Sequence, residues 1–266
     1  MRWAALLVLV AAAVLAAAVP ARAAPPITMS GAVGTRALVA DLAYFYRHAV
    51  NDPPRFSLVG GATQTGIADA ERGITDAGMV ARNLIPGDPA DLVLTPLALS
   101  GVCLVTNRAN PVPGITRAQI QDIVAARVTS WSQIPGSSRT DPIVPVGLEP
   151  TSGSGQVFLS VFVDVGTPLA YRPVTLATET QVRDYIEQTP GAFGYIGRSL
   201  TGPLHVAAYE GVGCTRRTIR DGTYPARRPL GVVTRGKPRG ALARFLRWAR
   251  TSPKARQVIR TRYLTL

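Results

Sequence analysis

Apolar and polar positions along this chain fall into two alternating rhythms. After an unbroken apolar run from Trp3 to Val19, "PPITMSGAVG" (residues 25–34) reads as a short strand ending in a glycine turn. "TRALVADLAYFYRHAV" (35–50) follows, with Leu38, Leu42, Phe45 and Ala49 spaced along one helix face. "RFSLVGGATQTG" (55–66) predicts a second strand and a Gly/Thr turn, and "IADAERG" (67–73) a short helix closed by Gly73. "ITDAGMVARNL" (74–84) and the long "TPLALSGVCLVTN" (95–107) predict further strands. This is the strand and helix alternation of a parallel sheet covered by helices.

The second half repeats the pattern. "TRAQIQDIVAARV" (116–128) sets Ile120, Ile123 and Val124 on one face, with Thr116 placed to cap the start. "DPIVPVGLE" (141–149) predicts a strand, "GQVFLSVFVDV" (155–165) a helix, and "ETQVRDYIEQTPG" (179–191) a helix stopped by Pro190 and Gly191. "AFGYIG" (192–197) and "RRPLGVVTRG" (227–236) predict strands, and residues 239–263 two closing helices broken at Pro253. Two such units predict two α/β lobes, and 266 residues at 47% hydrophobic composition suffice to bury both cores.

The chain's beginning changes the picture of where it works. Met1 and Arg2, the apolar run, and the small residues Ala21 and Ala23 around Arg22 have the form of a secretory signal peptide cleaved near Ala23, an uncleaved anchor being the alternative. No Cys follows the run, so no lipid anchor is expected there, and no later stretch approaches the roughly 18 apolar residues of a membrane span. The expected product is soluble, periplasmic or secreted. In that compartment Cys103 and Cys214 either form a disulfide or stay as two buried thiols.

Formal net charge is +13, and it is concentrated: residues 216–262 hold 13 Arg and 2 Lys against the single acid Asp221. That quarter could face anionic lipid or an acidic partner, or be solvated helix surface. No zinc-finger spacing, aromatic stacking platform or basic heptad supports nucleic-acid binding. The two histidines, His48 and His205, lack metal-ligand spacing, and neither a G-x-S-x-G elbow nor a paired-carboxylate motif is present. Composition therefore predicts no enzyme, no metal and no cofactor.

Three turns carry the candidate chemistry: "SGAVGT" (30–35), "GGATQTG" (60–66) and "TSGSGQ" (151–156). Each lies between a predicted strand and a predicted helix. The first N–H groups of a helix lack internal acceptors and sit at the positive end of the peptide dipoles, so such turns can hold an anion. Ser and Thr are also ordinary helix caps, and one turn alone would mean little.

Several longer segments carry a resemblance. "ITRAQIQDIVAARVTSWSQI" followed by "DPIVPV", "TPGAFGYIG", "TIRDGTYPARRPLGVVTRG" and "TSGSGQVF" occur in the order found in phosphate-binding proteins of bacterial phosphate ABC transporters, which have the type 2 periplasmic binding protein fold. The chain resembles that family over nearly all of its length after the leader. The resemblance implies a two-lobed α/β fold with mixed sheets flanked by helices and a chain that crosses between lobes. Residues 1–23 would be the signal peptide, 24–101 plus 228–266 one lobe, and 102–227 the other. A Cys103–Cys214 bridge would then staple the hinge region.

It also implies an exported, monomeric solute-binding protein that captures a small oxyanion, phosphate, in the cleft and delivers it to an ABC permease. The implied ligand groups are Val33, Gly34 and Thr35 of the first turn, Thr63 of the second, and Ser154, Gly155 and Gln156 of the third. Two charges depart from the family. Its Arg before the Gly-Ser-Gly loop falls on Pro150, and its proton-accepting Asp falls on Ala81, with Arg82 next in line. Arg82 either replaces the lost positive charge or is an exposed arginine at an element's start. Loss of both predicts weaker phosphate binding and poorer discrimination among oxyanions. The alternatives are a ligand-poor interaction or sensor module using the Arg-rich quarter, and a secreted phosphatase.

Overall fold

The computed structural model describes residues 24–164, 167, 169, 170 and 172–266; the expected signal peptide lies outside the described residues. β1 (Ile27–Ala32) pairs in parallel with β2 (Phe56–Gly61) and β3 (Ala77–Val80), joined through α1 (Val33–Arg47) and α2 (Thr63–Glu71). β4 (Leu92–Thr106) leads to β5 (Gly114–Ile115) and α3 (Arg117–Val124), whose Thr116 cap accepts from Gln119 N–H. Then come β6 (Val144–Leu148), α4 (Gly153–Val157) continuing into a π-helical turn (Phe158–Val163), β7 (Val174–Leu176), α5 (Glu179–Gln188) and β8 (Ala192–Gly197). β9 (His205–Tyr209), α6 (Arg216–Asp221), β10 (Arg227–Arg235), α7 (Gly240–Thr251) and α8 (Pro253–Arg262) complete the chain.

The sheet is mixed rather than parallel throughout. β4 carries the chain out of the first unit and β10 brings it back, so β10 runs antiparallel to both β3 and β4. β4 serves two sheets: Leu92 to Gly101 lie against β10, and Val102 to Thr106 against β8. Residues 100–106 are buried throughout, which explains why this stretch reads as an unbroken apolar run.

Among the described residues the two largest hydrophobic cores lie on either side of this crossing, with a small third cluster of Ile67, Ala70, Val80, Leu92 and Val233 under α2. One draws on residues from Ile27 to Ala98 and from Leu230 to Tyr263. The other runs from Val102 to Ala226 and includes Leu264, with Trp131, Phe162 and Tyr224 fully buried. Trp131 donates its indole N–H to the Gly191 carbonyl at 2.8 Å, a packing role. Cys103 and Cys214 form a disulfide. Both belong to the second core, and Cys103 lies just past the point where β4 passes from β10 to β8, so the bridge ties that stretch of β4 to the segment before α6.

α2 lies almost in backbone contact with the strands beneath it. A Cβ on Gly78 would stand 2.0 Å from the Gly66 carbonyl oxygen, and one on Gly66 would stand 2.8 Å from the carbonyls of Ser30 and Met79. This close approach fixes where α2 begins, at Thr63. Gly78→Ala is expected to destabilise the protein by at least about 1–3 kcal/mol, because rigid backbone must move to admit the methyl group. A urea midpoint equal to wild type would overturn this.

Candidate functional site

A cleft of about 320 Å³ opens between the two cores. Four helix starts border it: Val33 and Gly34 of α1, Thr63 of α2, Gly153 and Ser154 of α4, and Glu179 and Thr180 of α5. The β strands place them there, because each of these helices leaves the carboxyl end of a strand or the short turn after it.

The helix starts differ in how their amides are satisfied. α4 and α5 are capped by Ser152 and Thr178, which accept from Gly155 N–H and Gln181 N–H. α1 and α2 begin after Ala32 and Ala62, which have no side-chain acceptor to offer. The first-turn N–H groups of α1 and α2 are therefore left for another acceptor at the positive end of each dipole.

Thr63 is fully buried at the cleft wall, and its Oγ1 accepts from Ala81 N–H at 3.2 Å, leaving the hydroxyl proton free to donate. Gly153 must be glycine, since a Cβ would meet Thr63 Oγ1 at 2.6 Å and the Ala81 methyl at 2.9 Å. Ser154 is buried, and its hydroxyl donates to a Glu179 carboxylate oxygen while accepting from Arg228 Nη1 at 2.7 Å.

Arg228, at the start of β10, is the buried cation of the cleft. Its Nη2 donates to Glu179 at 3.0 Å and its Nη1 also approaches the Ala81 carbonyl at 3.4 Å. Its Nε, buried too, has no partner. Arg262 of α8 lies at the cleft's border, exposed. The cleft thus holds one buried positive and one negative side chain, Arg228 and Glu179, on elements other than those that carry Pro150 and Ala81.

Of the residues expected from sequence, the structure brings Val33, Gly34, Thr63 and Ser154 together at the cleft and places the rest elsewhere. Thr35 is fully buried, with its hydroxyl donating to the Val80 carbonyl at 2.8 Å, so it braces α1 against β3. Gly155 uses its N–H on Ser152 Oγ, and a Cβ there would meet the Glu149 carbonyl oxygen at 2.6 Å.

Arg82 is neither an exposed helix-start arginine nor a cleft cation. It is buried in a forked ion pair with Asp88, at 2.6 and 2.9 Å, and its Nε donates to Gln156 Oε1 at 2.6 Å. Gln156 thus braces Arg82 from the other core and stands outside the cleft lining. Burial would raise the Asp88 carboxyl, but the Arg82 guanidinium and the Ile85 N–H outweigh it and hold it below the ordinary carboxylate range. This pair stabilises the folded state above that range and lets go as pH falls through it.

Sequence reading missed Arg228 and Glu179. "RRPL" marks a strand start and part of the family resemblance without pointing to a ligand group, and Glu179 has no signal beyond its place as the acid in a helix's first turn. Among the described residues no group of three or more His, Cys, Asp or Glu could hold a metal ion, and no helix is long and apolar enough to cross a membrane.

Solved structures share this fold. A Clostridium perfringens protein described as a phosphate ABC transporter substrate-binding protein, with phosphate bound, superposes with a TM-score of 0.82 at 20% identity, covering 91% of this chain and all of that one. An ABC-type phosphate transport receptor from Vibrio cholerae gives 0.73 at 23% identity, covering 90% of this chain and all of that one. In sequence, the phosphate-binding protein PstS 2 of Streptococcus pneumoniae serotype 4 is 25% identical over 108 residues, 41% of this chain and 37% of its own length. Its namesake in Streptococcus agalactiae serotype V is 32% identical over 88 residues, 33% of this chain and 30% of its own. The chain thus spans only about a third of the length of these curated relatives, 37% and 30%. A family model for the PBP superfamily domain matches residues 16–252, and the chain belongs to that superfamily.

Proposed function

We propose that this chain is an exported solute-binding protein that captures a small oxyanion, phosphate, between two lobes and presents it to an ABC permease. The observation that carries this is the convergence of uncapped helix starts, Thr63 and buried Arg228 on one cleft. Backbone N–H groups of Val33 and Gly34, the hydroxyls of Thr63 and Ser154, and the Arg228 guanidinium supply donors from both sides. The lobes are residues 24–101 with 228–266, and 102–227; closing them around the ligand converts occupancy into a shape a permease reads.

The protein acts alone as a monomer and binds without turnover, in line with the binding and transport names of its relatives. Export through a cleaved leader ending near Ala23 fits the disulfide, which persists in oxidising compartments. Calorimetric titration with phosphate and sulfate tests the reading. A one-to-one complex with phosphate at about micromolar affinity or weaker is expected, with sulfate competing. Absence of binding by either anion overturns it.

A further inference from the structure

Among the described residues Glu179 is the only acidic side chain bordering the cleft, and it holds the groups that an entering anion would use. One carboxylate oxygen receives both the Ser154 hydroxyl and Arg228 Nη2, while Arg228 Nη1 braces Ser154 from behind. Ser154 has one proton to give, so it can serve Glu179 or a ligand but not both. Glu179 also stands in the first turn of α5, where the helix dipole favours negative charge. The carboxylate is partly exposed, at 18%, against 5% for Arg228, so it has a path toward solvent that the arginine lacks. Its other oxygen lies close above Gly197, where a Cβ would meet it at 2.9 Å.

We propose that Glu179 is the resident anion of the cleft, neutralising Arg228 when no ligand is present, and that an entering oxyanion binds by displacing it from Ser154 and Arg228. This rests on the oxyanion reading above. Binding is then an exchange of one acceptor for another, and Glu179 sets the affinity of the site. The exchange does not depend on whether the incoming oxyanion carries a proton, so Glu179 holds back phosphate and sulfate alike.

Calorimetry of the wild type, Glu179→Gln and Ser154→Ala with phosphate and with sulfate provides the test. Glu179→Gln removes the competing charge and keeps the shape; it is expected to bind both anions about tenfold more tightly than wild type, or better. Ser154→Ala is expected to weaken both. Should Glu179→Gln fold poorly, Glu179→Asp withdraws the carboxylate by one methylene and is expected to tighten both anions in the same direction. The inference is overturned if neither Glu179 variant binds more tightly. It is also overturned if Glu179→Gln loses phosphate while sulfate is unchanged, since Glu179 would then be receiving the ligand's proton. If the wild type and its variants bind neither anion, the oxyanion reading itself fails and takes this one with it.

Discussion

Arg228→Met is expected to abolish measurable oxyanion binding, lowering affinity by about two orders of magnitude or more, and to destabilise the folded protein at the same time. Hydrogen bonds to a charged group contribute about 1.5–3 kcal/mol each, and one arginine can direct more than one at a tetrahedral anion. Arg228 is buried at the cleft, and its Nε is a buried side-chain N–H that has no protein partner. Removing it also leaves Glu179 without its cation, so the cleft turns from balanced to negative and repels its ligand.

The stability loss has a separate origin. Breaking one side of a buried pair costs about 3–5 kcal/mol, and the 18% exposure of Glu179 puts the expected loss at the low end of that range. The double variant Arg228→Met with Glu179→Gln separates the two effects. It removes the stranded carboxylate, so part of the lost stability returns and the repulsion of the ligand is relieved, while affinity stays below wild type because the donors of Arg228 are still absent. Calorimetry and urea unfolding of the three proteins provide the check; phosphate binding by Arg228→Met at wild-type affinity would show that the helix starts and hydroxyls suffice without a cation.

Much of the architecture was legible because the long elements obey their own periodicities. α1, α5, α7 and β4 were readable from spacing alone, and the Thr116 cap from its place before α3. β5, with two residues, and α6, with six, are too short to show a period, and β9, "HVAAY", lacks a clear alternation. The antiparallel run of β10 could not be read locally, since strand direction depends on the route of the chain between units.

The site was legible where chemistry is local to a turn, and illegible where it depends on contact at a distance. Val33, Gly34, Thr63 and Ser154 stand in turns whose composition points to helix starts. Arg228 and Glu179 meet across 49 residues, and Arg82 finds Gln156 across 74, pairings for which sequence spacing carries no signal. Arg82 shows the risk of the local reading. Its place next to Ala81, where the resembled family has its Asp, suggested a ligand group, yet its charge is spent on Asp88 and its reach on bridging the two cores.

The disulfide is expected to contribute more to stability than any single side chain outside the cleft, and nothing to ligand affinity. Cys103 and Cys214 are 111 residues apart, and closing a loop of that order removes denatured-state entropy equivalent to about 4–5 kcal/mol; measured losses fall within about 2–5 kcal/mol. Both cysteines are buried, so alanine is the appropriate replacement, since serine would bury a new hydroxyl. The Cys103→Ala and Cys214→Ala double variant is expected to unfold at a lower urea concentration than wild type. Wild type in strong reductant should shift toward the same midpoint, whereas the variant should be insensitive to reductant. Because the bridge lies within one core, loosening it leaves the relation between the cores, and hence phosphate affinity, unchanged. A loss of affinity in the folded double variant would show instead that the bridge holds β4 at its crossing between the sheets.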